Sequence, residues 1–247
     1  MKVTFVGTGD AFNTAGRSHA CYRVEGGGRI VALEFGATAL MGWKSLKFDL
    51  ESLDAVIISH LHGDHFGGLP FLLLDCHFAQ RRTKPLIFAG PPGFKARLDA
   101  VLEALYPGAS ALDWHFPLHF AELSAGRPAE IAGFEVSVTE VDHPSGAPSF
   151  GLRLRQGGKV LAFSGDTAYV PALEKIADGA DLFICECYSG APKMSNHIDW
   201  PLLRGKLPLL KAKRIALTHL GETALPMAGE MRAAGVTPAQ DGMIGEL

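Results

Sequence analysis

The stretch "SHLHGDHFGGLP", residues 59–70, places three histidines and one aspartate within six positions, directly after the apolar run "LDAVIIS". A short β-branched run of this kind is typical of a buried strand. The four polar residues are His60, His62, Asp64 and His65, and each can bind a metal ion or transfer a proton. A loop of solvated histidines is the alternative interpretation. The density of ligands immediately after a buried strand favours a metal site.

The spacing of His60 and His62 favours an extended segment or a loop. On an extended segment the two side chains project to the same side, with Cα atoms about 6.6 Å apart. From there both imidazoles can approach one metal ion at about 2.0–2.1 Å. On a helix the two side chains would diverge by about 200°. Gly63 then supplies a turn, so Asp64 and His65 are expected to face a second ion.

Three further ligand candidates follow predicted strands elsewhere in the chain: His143 in "EVDHP", Asp166 in "FSGDT" and His219 in "LTHL". Each is weak alone, because a single histidine at a strand end is more often structural. Together with the loop they predict a two-metal site. The predicted ligands are His60, His62 and His143 for the first ion, Asp64, His65 and His219 for the second, and Asp166 between the two.

The composition is that of an ordinary globular protein. The chain has 247 residues, of which 47% are hydrophobic and 20% charged, with a formal net charge of −3. This charge implies no general attraction to nucleic acid. Four cysteines in a chain of this length do not form a disulfide framework, which favours a reducing compartment. We find no signal-peptide pattern and no apolar segment near the roughly 20 residues of a membrane span, so we expect a complete cytoplasmic protein.

The positions of glycine and proline predict two halves with a similar order of secondary-structure elements. Each half contains a hairpin, turning at Gly26–Gly28 and at Gly157–Gly158, followed by alternating strands and helices. Helices are predicted in "GGLPFLLLDCHFAQRR", "GFKARLDAVLEALYPG", "VPALEKIADG", "DWPLLRGKLPLLKA" and "PMAGEMRAAG". The second of these helices places Phe94, Leu98, Val101, Leu102 and Leu105 on one face. The pattern predicts one α/β domain over residues 1–247, with two mixed sheets and helices outside.

The ordered motifs "GTGDAFN", "SHLHGDHFGGLP", "SGDT" and "LTHL" resemble those of the metallo-β-lactamase superfamily, and the similarity covers essentially the whole chain. The stretches "PFLLLDCHFAQRRTKPLIFAGPPGF" and "ADLFICECY…NHIDW" are most similar to the tRNase Z-like group. The resemblance implies an αββα sandwich with a dinuclear site, usually zinc, with manganese or iron possible. It also implies a metal-bridging water or hydroxide as nucleophile, with Asp64 ligating the second ion and orienting that water or accepting its proton.

The resemblance further implies a role for Glu186 in "CEC" and His197 in "SNHIDW". In tRNase Z-like enzymes a glutamate at this strand end positions a downstream histidine. That histidine donates a proton to the leaving group or stabilises phosphoryl oxygens. A surface histidine with a nearby acid is the alternative interpretation.

One element of tRNase Z is missing. A tRNase Z carries a long glycine- and lysine-rich arm between the third and fourth motifs, whereas here one predicted hairpin fills the interval between His143 and Asp166. We therefore expect a phosphodiesterase acting on a small or exposed phosphodiester, with no membrane partner and with tRNA an unlikely substrate. Dimers are common among relatives, so a homodimer is an open expectation.

Other functions use the same metal pair or the same fold. A lactonase, thioesterase, carboxylesterase or sulfatase would need the same ligands, and the sequence does not separate them from a phosphodiesterase. A di-iron redox protein is disfavoured, because that group normally adds a flavin domain after the metal domain. A binding module that has lost catalysis is disfavoured by the complete set of predicted ligands.

Several polar residues outside the motifs have simpler interpretations. The basic tract of Arg81, Arg82 and Lys84 is expected to be solvated at a helix C-terminus, although contact with phosphates is the alternative. Cys185 and Cys187 are expected to be buried thiols. The remaining histidines expected to be structural or at the surface are His19, His77, His115 and His119.

Overall fold

A computed structural model describes residues 1–192 and 195–247. The elements of the first half are β1 (Lys2–Gly7), β2 (Cys21–Gly26), β3 (Arg29–Leu33), α1 (Ala39–Ser45), β4 (Ala55–Ile57), α2 (Gly63–Phe66), α3 (Leu69–Leu74), β5 (Leu86–Gly90), α4 (Phe94–Leu105) and β6 (Leu118–Glu122). Those of the second half are β7 (Ala129–Ile131), β8 (Phe134–Glu140), β9 (Phe150–Gln156), β10 (Lys159–Phe163), α5 (Ala172–Ala177), β11 (Leu182–Glu186), α6 (Trp200–Lys206), β12 (Ile215–Thr218), α7 (Ala228–Ala233), β13 (Thr237–Pro238) and β14 (Ile244–Glu246).

The strands form two seven-stranded mixed sheets, in the orders β14-β1-β2-β3-β4-β5-β6 and β7-β8-β9-β10-β11-β12-β13. In the first sheet the pairs from β14 to β3 are antiparallel and the pairs from β3 to β6 are parallel. The second sheet repeats this pattern, antiparallel from β7 to β10 and parallel from β10 to β13. The predicted pair of mixed sheets is therefore confirmed.

Three clusters of buried side chains define the layers. One cluster combines strands of both sheets, for example Val3 and Phe5 of β1 with Leu152 and Leu154 of β9, so it lies between the sheets. A second cluster joins the first sheet to α1, α3 and α4, and a third joins the second sheet to α5, α6 and α7. Each fully buried large apolar side chain stabilises the fold by about 1.5–3 kcal/mol. The layer order is helix, sheet, sheet, helix.

The two predicted hairpins turn at paired glycines. Gly27 and Gly28 have φ of 57° and 74°, and Gly157 and Gly158 have the same values. Two successive residues in the left-handed region form a type I′ turn, whose twist matches that of the flanking strands in a two-residue hairpin. Glycine adopts this conformation without steric cost. Both turns connect neighbouring antiparallel strands as predicted.

The predicted helices form, with corrections at their ends. The helix predicted over "GGLPFLLLDCHFAQRR" is observed as α3 followed by a π-helical turn at Asp75–Ala79, and the single turn α2 precedes it. Helix α6 ends at Lys206 and is followed by a 3₁₀ turn at Leu207–Leu209. Pro208 has no N–H and cannot continue the α-helical hydrogen bonding. Leu105 is the last residue of α4 and is 49% exposed, whereas Phe94, Leu98 and Leu102 on the same predicted face are buried.

Arg82 contradicts the expectation of a solvated basic tract, although Arg81 is exposed. The Arg82 side chain is 1% exposed, and its guanidinium donates hydrogen bonds only to backbone carbonyls among its described partners. These carbonyls belong to Leu50, Leu53, Lys84 and Pro85. A buried guanidinium with several donors satisfies carbonyl groups that would otherwise lack partners. Arg82 is therefore a structural residue and not a phosphate contact.

Cys185 and Cys187 are buried free thiols, as predicted. Helix α1 and strands β6, β7 and β13 were not predicted from the sequence. Strand β6 is a partly exposed strand without a strongly apolar run, which explains why its pattern was missed. Within the described ranges, no helix is both long enough and apolar enough to cross a membrane.

Candidate metal centre

The histidine-rich loop follows β4 at the carboxyl edge of the parallel strands. His60 is fully buried and His62 is half-buried, with an extended backbone at His62 (φ −92°, ψ 150°). Helix α2 begins at the next residue, Gly63, and carries Asp64 and His65. The change from extended to helical backbone separates the two pairs of side chains, as the spacing predicted.

A first cluster consists of three imidazoles. His60, His62 and His143 each offer a ligand atom, and these atoms lie within 4.8 Å of one another. His62 Nδ1 is 3.0 Å from His143 Nε2. The ring centroid of His60 is 4.9 Å from the centroids of both other rings. The three residues predicted to share the first ion are thus adjacent.

Hydrogen bonds on the far side of two of these rings fix which nitrogen faces the cluster. His143 Nδ1 lies 2.9 Å from the carbonyl oxygen of Asn196 and donates to it, so Nε2 carries a free lone pair. His60 Nδ1 is 2.9 Å from Ser59 Oγ, and His60 Nε2 is buried without a hydrogen-bond partner among the described residues. A buried, unpartnered nitrogen surrounded by other ligand atoms fits a metal ion.

A second cluster adjoins the first and contains two carboxylates. Asp64, His65, Asp166 and His219 have ligand atoms within 4.8 Å of one another. Asp64 Oδ2 lies 3.2 Å from Nε2 of both His65 and His219. Asp166 Oδ2 lies 3.1 Å from His65 Nε2 and 3.2 Å from His219 Nε2. The same oxygen is 3.9 Å from His60 Nε2, so Asp166 lies between the two clusters.

The two clusters hold protons differently. Burial, reinforced by His65, lowers the pKa of His60 well below its usual value, so this imidazole is neutral. Burial alone would raise the pKa of Asp64, but the charges of His65 and His219 lower it. Burial opposes protonation of His219, but Asp166 and the hydrogen bond to Asp64 raise its pKa to about 9. The two carboxylates therefore stabilise protonated imidazoles in the second cluster.

Glu34 belongs to this centre and was missed by sequence reasoning. It follows β3 in a left-handed conformation (φ 60°) and is fully buried. Its Oε1 accepts a hydrogen bond from the Ser59 N–H at 2.8 Å, and its Oε2 lies 3.2 Å from His65 Nδ1. Glu34 thereby orients His65 and anchors the start of the loop. The available signal was an acidic residue directly after the apolar run "RIVAL".

Glu186 and His197 are brought together beside both clusters. Glu186 ends β11, is fully buried, and its Oε1 lies 3.0 Å from His197 Nδ1. The His197 ring centroid is 4.9 Å from that of His143 and 5.3 Å from that of His219. Burial opposes protonation of His197, but Glu186 raises its pKa. With 17% of its side chain exposed, His197 is not the free surface histidine of the alternative interpretation.

The remaining histidines lie outside the two clusters. His77 and His115 stack on each other with ring centroids 3.9 Å apart, and the His115 N–H is 3.2 Å from His77 Nδ1. His119 is exposed on β6. His19 is buried, and neither of its ring nitrogens has a hydrogen-bond partner among the residues that the structure describes.

Comparison with known proteins assigns this chain to a family. The family model described as "Anti-Pycsar protein Apyc1" matches residues 1–241. Ribonuclease Z of Mycobacterium marinum is 28% identical over 199 residues, which is 74% of this chain and 69% of that protein.

Two solved structures share the fold over nearly their whole length. The short form of human tRNase Z superposes with a TM-score of 0.80 and 23% identity, covering 100% of this chain and 99% of that one. The metallo-β-lactamase fold protein YhfI of Bacillus subtilis gives a TM-score of 0.79 and 22% identity, covering 99% of each chain. The αββα sandwich expected from the motifs is confirmed.

The His/Asp cluster at the end of the strands is a divalent metal site. The chain belongs to the Anti-Pycsar protein Apyc1 family, and it is a tRNase Z-like member of the metallo-β-lactamase superfamily and a metal-dependent hydrolase of the phosphodiesterase type.

Proposed function

We propose that this protein is a dinuclear phosphodiesterase that acts on a small or exposed phosphodiester. The observation that carries the proposal is the meeting of two ligand clusters at one carboxylate oxygen, Asp166 Oδ2. In this proposal His60, His62 and His143 would hold the first ion, Asp64, His65 and His219 would hold the second, and Asp166 would be a ligand shared by the two clusters. Imidazoles with a minority of carboxylates suit zinc best, with manganese and iron as alternatives.

Two divalent cations bound there would acidify a shared water and stabilise the charge that develops on the phosphoryl group. The contribution of Asp64 follows from its ionised state. Its carboxylate lies against His65 and His219, which lower its pKa, so it is an acceptor at neutral pH. An ionised carboxylate at the edge of the second cluster can orient an attacking water and accept its proton.

His197 is the proposed proton donor to the leaving group. Its Nδ1–H is held by Glu186 Oε1, which leaves the Nε2–H free to face a bound substrate. Glu186 is fixed in turn, because the same oxygen accepts a hydrogen bond from the Thr167 N–H at 2.7 Å. Glu186 raises the pKa of His197, which favours the protonated imidazole that a general acid requires.

The substrate class is inferred from the elements between the motifs. The relatives named Ribonuclease Z act on RNA by their name, and a phosphodiester is the bond they share with the class proposed here. In this chain the interval between His143 and Asp166 contains strands β9 and β10, joined by the two-residue turn at Gly157 and Gly158. No long arm extends from this described interval, which supports a small or exposed phosphodiester over a folded tRNA.

We also propose that residues 1–247 form one catalytic domain. The core between the sheets is built from both halves of the chain. Each ligand cluster likewise combines the loop after β4 with residues from the second half. Neither half would therefore retain a complete site if it were separated from the other.

The test is hydrolysis of bis(p-nitrophenyl) phosphate beside p-nitrophenyl butyrate, with zinc-loaded and chelator-treated protein. We expect chelator-sensitive turnover that favours the phosphodiester and returns when zinc is added back. The matched control is His119→Ala, which removes an exposed histidine on β6 and should leave metal content and rate unchanged. Faster metal-dependent cleavage of the butyrate would instead assign the protein to the lactonases or carboxylesterases.

A further inference from the structure

We infer that Thr8 and Asp241 position His219 and thereby set the affinity of the second cluster for its ion. This inference rests on the proposed role of His219 as a ligand. Neither residue touches a ligand atom of the clusters. Thr8 lies in the motif "GTGDAFN", but the sequence predicted no role for either residue. Both act through the backbone on which His219 is mounted.

His219 has an unusual backbone conformation. It follows β12 directly and adopts a left-handed conformation with φ of 58°. For a residue other than glycine this conformation is strained and persists only where neighbouring groups hold it. The bend brings Nε2 within 3.2 Å of both Asp64 and Asp166. The position of this ligand therefore depends on the groups that fix its backbone.

The Thr8 carbonyl provides that constraint. The His219 N–H donates to it at 3.1 Å, and the Thr218 Oγ1–H donates to the same oxygen at 3.4 Å. Thr218 Oγ1 is also 2.7 Å from the Tyr22 hydroxyl, which ties the end of β12 to β2. Thr8 is fully buried, so this carbonyl has no competing contact with solvent.

Asp241 holds Thr8 from the other side. Asp241 Oδ1 accepts hydrogen bonds from the Thr8 N–H at 2.9 Å and from the Thr8 Oγ1–H at 2.7 Å. Its other oxygen accepts from the Ser18 N–H at 2.7 Å. The backbone before Thr8 is closely packed, since a Cβ on Gly7 would lie 1.9 Å from the carbonyl oxygen of His19.

A chain of contacts thus runs from Asp241 through Thr8 to His219. Loss of the Asp241 carboxylate leaves the buried N–H and hydroxyl of Thr8 without their acceptor and releases the loop. The effect should be confined to the second cluster, because the described hydrogen bonds of His60, His62 and His143 involve neither residue. Asp241 itself is exposed, so its substitution need not unfold the protein.

The experiment is a Co²⁺ titration of the metal-free protein of residues 1–247, followed by visible absorption and isothermal calorimetry. Thr8→Val removes the hydroxyl at nearly constant volume, whereas Thr8→Ser retains it. Asp241→Ala removes the acceptor, and Asp178→Ala is the matched control for loss of an exposed carboxylate. We expect about 10-fold weaker binding of the second ion in Thr8→Val and Asp241→Ala, the lower end of the range for groups that orient ligands. Binding of the first ion should be unchanged in all four variants. Thr8→Ser and Asp178→Ala should bind both ions as tightly as the unsubstituted protein.

Two results would overturn the inference: unchanged binding of the second ion in Asp241→Ala, or equal weakening of both ions. If Thr8→Val does not fold, Asp241→Ala and its control decide alone. His219→Ala in the same titration distinguishes a failure of the proposed metal centre from a failure of the positioning inference. A wild-type protein that binds only one ion, or a His219→Ala protein that still binds two, would refute the centre and not the positioning.

Discussion

The two ligand clusters lie side by side, yet they are built from different chemistry. The first contains three imidazoles, and the second contains two carboxylates and two imidazoles, with Asp166 between them. Burial lowers the pKa of His60 in the first, whereas Asp166 and Asp64 raise that of His219 in the second despite its burial. The first cluster is therefore ready to bind a cation, and the second must release a proton to do so.

Asp166→Ala is the strongest test of this comparison, because Asp166 belongs to both clusters in the proposed assignment. Loss of a group that merely orients a ligand typically costs 10–100-fold in affinity or activity. We expect removal of the shared carboxylate to lower kcat/KM by more than about 10³-fold and to reduce the content of both ions. Metal analysis by mass spectrometry and the phosphodiester assay measure these effects. Full retention of two ions would show that Asp166 does not join the clusters.

A matched pair of buried histidines separates the clusters. His60→Ala should lose the first ion and keep the second, whereas His65→Ala should do the reverse. We expect one ion in each variant and a loss in kcat/KM of more than about 100-fold. In His60→Ala the affinity for the remaining ion should increase with pH, because His219 must be deprotonated. The same pH dependence in both variants would contradict the difference between the clusters.

His197 lies beside both clusters but is proposed to bind neither ion. We expect His197→Ala to retain both ions and to lower kcat by about 100-fold, the lower end for a general acid. Glu186→Gln tests the pairing, because Glu186 raises the pKa of His197. In this variant His197 should lose its proton at lower pH, so the alkaline limb of the kcat profile should move to lower pH. Full activity of His197→Ala would exclude a role in proton donation.

The parts of the centre that the sequence predicted are those in which ligand type and spacing are local. His60, His62, Asp64 and His65 are neighbours in one loop, and their alternation alone indicated two directions. His143, Asp166 and His219 were found because each follows a predicted strand, and strand ends meet at one edge of a sheet.

The supporting residues had little or no local signal. Asp241 is an exposed aspartate before the last strand, and it reaches Thr8 only because β14 pairs with β1. Glu34 follows an apolar run, but its contact with His65 depends on the parallel pairing of β3 and β4. Arg82 was misassigned because the basic tract gave no indication of the carbonyl groups around it. Contacts with other segments of the folded chain, and not residue types, decided these positions.

The smallest expected effect is on the stability of the metal-free protein. The pKa of His219 is about 9 in the folded state against 6.5 for the free side chain. The stability that protonated His219 gives to the folded state is therefore fully present below about pH 6.5 and is lost as the pH rises towards about 9. His60 and His143 have lowered pKa values and do not contribute to this loss, whereas His197, whose pKa is raised, contributes in the same direction.

The pKa difference of about 2.5 corresponds to about 3.4 kcal/mol, of which about 2.7 kcal/mol is lost between pH 6.5 and 9. For a chain of this size that equals a fall in Tm of about 5–10 °C between pH 6.5 and 9. Differential scanning calorimetry of the metal-free protein measures it. The zinc-loaded protein and the His219→Ala variant should show flatter profiles, because a bound cation replaces the proton in one and the titrating group is absent in the other. A Tm that rises with pH in the metal-free protein would show that the second cluster does not retain its protons.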